Sequence, residues 1–585
     1  MFLHFIDWLF IAGFFVISLL IGLSVSRRAG RNSTEFFLSG RNMPWWLLGI
    51  SMVATTFSSD TPNLVTDIVR QNGVAGNWVW WAFLLTGMLT VFVYAKLWQR
   101  SKVLTDLEFY ELRYSGKAAA FLRCFRALYL GVFFNVLIMA TVSLAMIKIG
   151  GVMFKWTPIQ TLLIASLVTV IYSALGGLRG ILITDFFEFA IAMIGAVAAA
   201  IVAIRLPQVG GLHNLLTSGV VVSKLNLLPD FSNSEALLSL LILPLTVQWW
   251  SVWYPGAEPG GGGYIAQRML SAKSEKHAIG ATLLFNAAHY ALRPWPWILV
   301  ALCSLLVFPD LASLQASFPH VDPSVIRHDM AYPAMLTFLP NGLLGLVVAS
   351  LIAAFMSTIS THLNWGSSYV ANDFYKRFIN PKASEKKQVL VGRISTVALM
   401  ILSCLVALVL SNALQAFHIL LQIGAGTGLI FILRWFWWRI NPFSELTAMI
   451  VSFVIAVYLE IIHPLTGLPL LSTHVQLCVG VGITTVSWIA VTLLSKPSDK
   501  KTLCSFYRLV HPGGPGWKKV VLQARKENDP IEKAGELWDL PTGILCMFLG
   551  CFAIYSTLFA TGYWIYGNVS VASILSVIMV ISTTF

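Results

Sequence analysis

The sequence predicts an all-α integral membrane protein that crosses a bilayer about fifteen times. Three observations carry that prediction. Apolar residues make up 57% of the chain and charged residues only 11%, with a mean hydropathy of +0.76, whereas a soluble domain carries about a quarter charged residues. Apolar runs of about 20 residues, the length needed to cross ~30 Å of hydrocarbon, recur along nearly all of the 585 residues. The basic residues stand in short loops between these runs, which points to one membrane unit and not to several soluble domains.

The first run, 5–25, is followed by Arg27 and Arg28 and has no small-residue cleavage site, so it is expected to remain as a helix and not to be removed as a signal peptide. Further spans are expected at 45–70, 77–97, 120–148, 158–177, 181–204, 236–256, 278–308, 334–370, 390–410, 415–437, 445–463, 474–494, 541–562 and 569–585. If each run crosses once, the basic groups share one face: Arg27 to Arg41, Lys96 to Lys117, Arg268 to Lys276, Lys376 to Arg393, and Arg434 with Arg439. The positive-inside rule makes that face cytoplasmic, with the N-terminus outside and the C-terminus inside a plasma (inner) membrane. The formal charge of +13 is thereby accounted for, which argues against nucleic acid as a partner. Ser495 to Asp539 is rich in lysine and arginine, contains His511-Pro512-Gly513-Gly514-Pro515-Gly516, and reads as a cytoplasmic linker to two last helices. The seven cysteines show no CxxC pair, so neither a disulfide framework nor a metal cluster is expected.

Helix breakers interrupt two spans. The second contains Ser58-Ser59-Asp60-Thr61-Pro62, where Pro62 removes a backbone donor; the seventh contains Tyr254-Pro255-Gly256-Ala257-Glu258-Pro259 and then Gly260 to Gly263. A bilayer tolerates unwound backbone only where protein buries it or a cavity lies beside it. The breaks lie five helices apart in spans of opposite direction, the pattern of an inverted five-helix repeat with a site near the midplane. Two ordinary proline kinks are the alternative.

Four segments carry a resemblance. Glu35-Phe36-Phe37-Leu38-Ser39-Gly40-Arg41-Asn42 leading to Gly49-Ile50-Ser51, Gly176-Gly177-Leu178-Arg179-Gly180 with Thr184-Asp185, Tyr264-Ile265-Ala266-Gln267-Arg268, and Ala353-Ala354-Phe355-Met356-Ser357-Thr358 with Asp373 are similar to the sodium:solute symporter family, over roughly 5–495. Gly180 departs from the Ser, Ala or Pro usual in that family. The resemblance implies a leucine-transporter-like fold with spans 2–6 (45–204) and 7–11 (205–440) as inverted repeats. Around them it leaves a leading helix and loop (1–44), peripheral helices (441–494), the linker (495–540) and two C-terminal helices (541–585).

The same resemblance implies a sodium site made by backbone carbonyls at Ala54 and Phe57 together with Ala354, Ser357 and Thr358, and it places Asp185 near the sodium exit. The chemistry agrees: a hard cation takes oxygen ligands, and Ala354, Ser357 and Thr358 fall at i, i+3 and i+4 on one helix face. Such hydroxyls also commonly bond back to their own helix, and Asp185 has an interfacial role open to it. For solute, the resemblance points to Asp60 and Thr61 and, in span seven, Ser251 and Tyr254. Arg293 has three roles open: solute contact, pairing with Asp60 or Glu258, or bracing a Pro-kinked helix. Trp249, Trp250, Trp253, Trp295 and Trp297 stand near the breaks, suited either to stacking on a ring or to anchoring and packing.

The expected function is sodium-coupled import of a small organic solute, a sugar first, with nucleosides, amino acids or carboxylates as alternatives. A membrane sensor that does not transport is the alternative of another class. No phosphate-binding loop and no nucleophile–base spacing is found, so neither ATP-driven transport nor enzymatic chemistry is expected; the expected partners are sodium, the solute and membrane lipid.

Overall fold

The computed structural model describes residues 3–29, 32–252, 258–321, 323–410, 413–532 and 538–584. The chain begins with α1 (Phe5–Ala29) and a short loop. A broken pair follows, α2 (Trp45–Thr56) and α3 (Thr61–Asn72). Then come α4 (Val74–Ser101), α5 (Gly116–Phe154), α6 (Pro158–Ile204) and α7 (Ser234–Thr246). Beyond the second break lie α8 (Gly263–Ser271), α9 (Glu275–Val307), α10 (Leu343–Ile379), α11 (Glu385–Ala407) and α12 (Ala413–Leu433). The peripheral part comprises α13 (Pro442–Glu460), α14 (Thr473–Leu494), α15 (Lys500–Val510), α16 (Lys518–Lys526), α17 (Leu540–Ile565) and α18 (Val569–Thr584). Among the described residues ten helices are long and apolar enough to cross a membrane, and five shorter apolar helices accompany them.

Burial separates scaffold from core. The most apolar stretch of α10 is 89% buried, whereas that of α1 is 28% buried and exposes Phe5, Leu9 and Leu20. An apolar side chain that faces outward on a helix of this composition faces lipid. The centre of the molecule is therefore α2 to α5 packed with α9 and α10, and α6 lies against both α10 and α2. The long α6 is interrupted at Gly177, whose φ of +54° only glycine adopts without strain.

Two close approaches hold the second break. A methyl group on Gly424 would come within 2.3 Å of the Val252 carbonyl, and one on Gly428 within 1.7 Å of the Trp250 carbonyl. Glycines one turn apart on α12 thus let the unwound backbone after α7 lie directly on a helix. On the other side of the second break, Gly260 and Gly261 have φ of +85° and +82°, and the Trp98 indole donates to the Gly260 carbonyl at 2.7 Å.

The stretch expected to be a linker is folded. α15 and α16 meet at Trp517, which stacks on Phe506 with ring centroids 5.7 Å apart and donates to the Trp435 carbonyl at 2.9 Å. The Arg113 guanidinium lies 4.8 Å above the Trp517 ring. The glycines of the His511 to Gly516 stretch make a tight docking turn: Gly513 and Gly514 have φ of +64° and +89°, and the Gly516 carbonyl accepts from the Trp438 amide at 3.2 Å. The polar composition of this segment concealed a face carrying Leu503, Phe506, Tyr507 and Val510, all buried.

Candidate functional site

The first break is shaped by Pro62, which sits in the first turn of α3 and cannot donate to continue α2. α2 closes on Phe57, whose amide donates to the Val53 and Ala54 carbonyls at 2.9 and 3.0 Å. The gap is stapled by Thr61: its hydroxyl donates to the Thr56 carbonyl at 3.2 Å and accepts from the Ser58 amide at 3.3 Å. Ser59 ties the gap to α5 through the Val142 carbonyl at 3.2 Å.

α10 faces this break with the residues expected of it. Ala354, Ser357 and Thr358 are all buried. The Thr358 hydroxyl donates to the Thr55 carbonyl at 2.8 Å, and the Thr55 and Thr361 hydroxyls bond at 3.1 Å. Ser357 donates to Asp185 at 2.6 Å, and the other Asp185 oxygen accepts from Ser51. Asp185 therefore lies between α2 and α10, joined to the hydroxyl face. Arg268 completes this layer, donating to Thr361 at 2.8 Å and to Ser51 at 3.2 Å, with Asp185 3.9 Å away. Ala54 and Phe57 stand at the end of α2, with the Ala54 carbonyl engaged by the Phe57 amide and the Phe57 ring stacked on Trp297 at 5.0 Å.

On the opposite face of the same break lies a cavity enclosing about 1070 Å³, part of it open to solvent. Its wall includes Thr56, Ser58, Asp60, Thr61, Asn63, His289 and Arg293 beside Leu64, Phe83, Ile138 and Leu420. Asp67, Lys148 and Asp329 line it as well, and Lys148 donates to Asp329 at 2.6 Å. Most of the surface that the cavity exposes is apolar, with polar side chains set into it, the build of a small-molecule site. The Asp60 carboxylate accepts from the Ser58 hydroxyl.

Arg293 lines the cavity, and its hydrogen bonds go to the end of α2 and to His289 on its own helix. It donates to the Val53 carbonyl and the Thr56 hydroxyl, each at 3.3 Å, to the His289 carbonyl at 3.3 Å, and to the His289 ring. Its guanidinium also lies 5.4 Å above Trp297. A cation at the carboxyl end of α2 complements the helix dipole there. Glu258 pairs elsewhere, with Arg126 and with Arg434 at 3.6 Å, in a buried network that includes Glu445.

Ser251 is buried but is not part of the cavity wall. Tyr254 and Trp253 lie outside the described residues. Among the tryptophans named from the sequence, Trp250 donates to the Ala425 carbonyl at 3.2 Å and Trp295 to the Leu558 carbonyl at 2.8 Å, which makes them packing groups. The indole in the cavity wall is Trp80. Sequence reasoning missed Ser51, Thr55, Thr361, Arg268, Asn63 and Trp80. Spacing offered a signal for some: Ser51 and Thr55, like Ser357 and Thr361, are i, i+4 pairs.

The sodium:solute symporter family model matches residues 36–452. The sodium/glucose cotransporter of Vibrio parahaemolyticus is 27% identical, the match covering 78% of this chain and 86% of that protein. The sodium/mannose cotransporter SLC5A10 of Bos taurus is 25% identical over 78% and 80% of the two chains. The sodium/myo-inositol cotransporter 2 of Mus musculus is 26% identical over 76% and 68%. Among solved structures, a Na+-coupled sialic acid symporter in its substrate-bound outward-open state superimposes with a TM-score of 0.65 at 20% identity, covering 85% of this chain and 99% of that one. The fold is thus that of an all-α membrane transporter of the leucine-transporter type. The chain belongs to the sodium:solute symporter family and is a sodium-coupled symporter of a small solute.

Proposed function

We propose that this protein imports a sugar or sugar-like solute with sodium across the plasma membrane by alternating access, and that the α2–α3 break is where the two cargoes meet. The observation that carries this reading is the two-sidedness of the break. The Thr55 carbonyl faces the hydroxyls of α10, while Thr56, Ser58, Asp60 and Thr61 face the cavity. In this reading sodium is held by the Ala54 and Phe57 carbonyls with Ala354, Ser357 and Thr358, and leaves past Asp185. The Ser357 and Thr358 hydroxyls donate to Asp185 and to the Thr55 carbonyl, and a hydroxyl that donates to a neighbour keeps its lone pairs for a cation. The solute is held by Asp60 and Thr61, and Ser251 and Tyr254 are further candidates on the family resemblance alone.

Sodium bound at one face fixes α2 against α10 and so sets the start of α3, which the solute touches. One charge crossing 100 mV supplies about 2.3 kcal/mol, which drives accumulation without ATP or any covalent step. Residues 45–204 and 205–440 act as the two inverted repeats, the N-terminus lies outside, and the C-terminus is cytoplasmic. About fifteen crossings follow if the five shorter apolar helices also span.

Uptake of labelled hexose into proteoliposomes with and without an inward sodium gradient tests the reading. Gradient-independent accumulation would sink it. Thr358→Ala and Ser357→Ala should each raise the sodium concentration for half-maximal uptake by about tenfold, the equivalent of ~1.4 kcal/mol per lost ligand. Unchanged sodium activation in both variants would remove the ion-site assignment.

A further inference from the structure

Among the described residues, one polar side chain of the cavity wall has no partner on either of its polar atoms. Asn63 is 2% exposed, lines the cavity, and neither its amide nitrogen nor its carbonyl oxygen has a hydrogen-bond partner. A buried carboxamide left unpaired on both atoms is costly, and native proteins retain such groups where a ligand completes them. Its setting narrows the ligand. Asp60, Asn63, Leu64 and Asp67 occupy i, i+3, i+4 and i+7 along α3 and all line the cavity. Asn63 is thereby flanked by two carboxylates one turn away on either side.

We propose that Asn63 is a solute-recognition residue and that the solute is an uncharged polyol or sugar with adjacent hydroxyls. The proposal rests on the assignment of this cavity as the solute site. A carboxamide presents a donor and an acceptor side by side in one plane. Two neighbouring hydroxyls match it, one donating to the amide oxygen and the other accepting from the N–H. Asp60 offers oxygen acceptors to a further hydroxyl one turn away. An anionic solute would meet three carboxylates at this wall, Asp60, Asp67 and Asp329, against two cations that are already engaged, Lys148 with Asp329 and Arg293 with Val53, Thr56 and His289. The apolar neighbours Leu64, Phe83 and Ile138 suit the C–H face of a ring.

The test uses the full-length protein in proteoliposomes with an inward sodium gradient and labelled D-galactose, D-mannose and myo-inositol, each beside its monodeoxy analogues. Asn63→Leu keeps the branched outline and the number of side-chain heavy atoms and removes both polar groups. The expected result is a rise in KM of about tenfold or more, with half-maximal sodium activation unchanged when the solute is saturating. The wild-type preference for the parent compound over one monodeoxy analogue should also fall to parity. Asn63→Gln, which keeps the carboxamide, should retain part of that preference, and covers the case in which the leucine variant fails to fold. Wild-type KM and undiminished deoxy discrimination in the leucine variant would overturn the role of Asn63. Sodium-driven uptake by the wild type of N-acetylneuraminate or an amino acid, with none of the three neutral probes, would overturn the uncharged class while leaving the symport reading intact. No sodium-driven uptake of any probe would overturn the assignment of the cavity itself, and this proposal with it.

Discussion

Arg293 shows how a single residue's bonds decide between roles that its position leaves open. Its fork reaches the Val53 carbonyl, the Thr56 hydroxyl and His289, so the guanidinium holds the carboxyl end of α2 while one edge faces the cavity. Lysine has the same charge but offers a point and not a planar fork, and cannot serve these partners together. Arg293→Lys is therefore expected to fold, to weaken sodium activation several-fold, and to alter solute KM in the same direction, because the end of α2 belongs to both sites. Uptake kinetics at varied sodium and hexose check this. A change confined to solute KM would make Arg293 a solute contact alone. The sequence supplied the residue and the three options. It could not choose, since the choice depends on Val53 and Thr56, more than 230 residues away along the chain. Asn63 was hidden for a different reason: an asparagine after a proline at the start of a helix reads as an ordinary first-turn residue until the cavity is seen beside it.

At the scale of elements, the legible features were those with local causes. The α2–α3 break follows from Pro62, the interruption of α6 from Gly177, and the apolar spans from run length. What was not legible was partnership between elements, such as the seat that Gly424 and Gly428 provide for unwound backbone. The segment from Ser495 to Asp539 is the sharpest case. Its charge and its Pro-Gly run describe a solvated linker, yet α15 and α16 bury an aromatic face under Trp435 and Arg113. Gly516 is the point where this packing admits no side chain, since a methyl group there would stand 2.0 Å from the Phe436 carbonyl. Gly516→Ala should therefore undock the segment at a cost of about 1–3 kcal/mol, the usual range for overpacking. Limited trypsin digestion reads this out directly: cleavage at Lys518, Lys519, Arg525 and Lys526 should become faster than in the wild type. An unchanged digestion pattern would show that the turn yields without releasing α16.

For the whole molecule, the consequence of one break serving two sites is that neither cargo binds independently. Sodium that draws α10 to the end of α2 lowers the cost of ordering Ser58 to Thr61, and solute that orders the same residues lowers the cost of placing the carbonyls for sodium. Linkage requires the two effects to be equal: whatever factor saturating sodium contributes to solute affinity, saturating solute contributes to sodium affinity. Couplings of this kind are typically about 5–150-fold. Equilibrium binding of a neutral hexose to the purified protein in sodium and in potassium, and of sodium with and without that hexose, should therefore give one factor in this range. Thr358→Ala should reduce it, because Thr358 joins α10 to the Thr55 carbonyl and through it to the cavity side of the break. Solute affinity that is the same in sodium and potassium would show that the break does not transmit between its two faces. By linkage the coupling factor would then be one in both directions, and the sodium dependence of transport would have to arise in the moving step and not in binding.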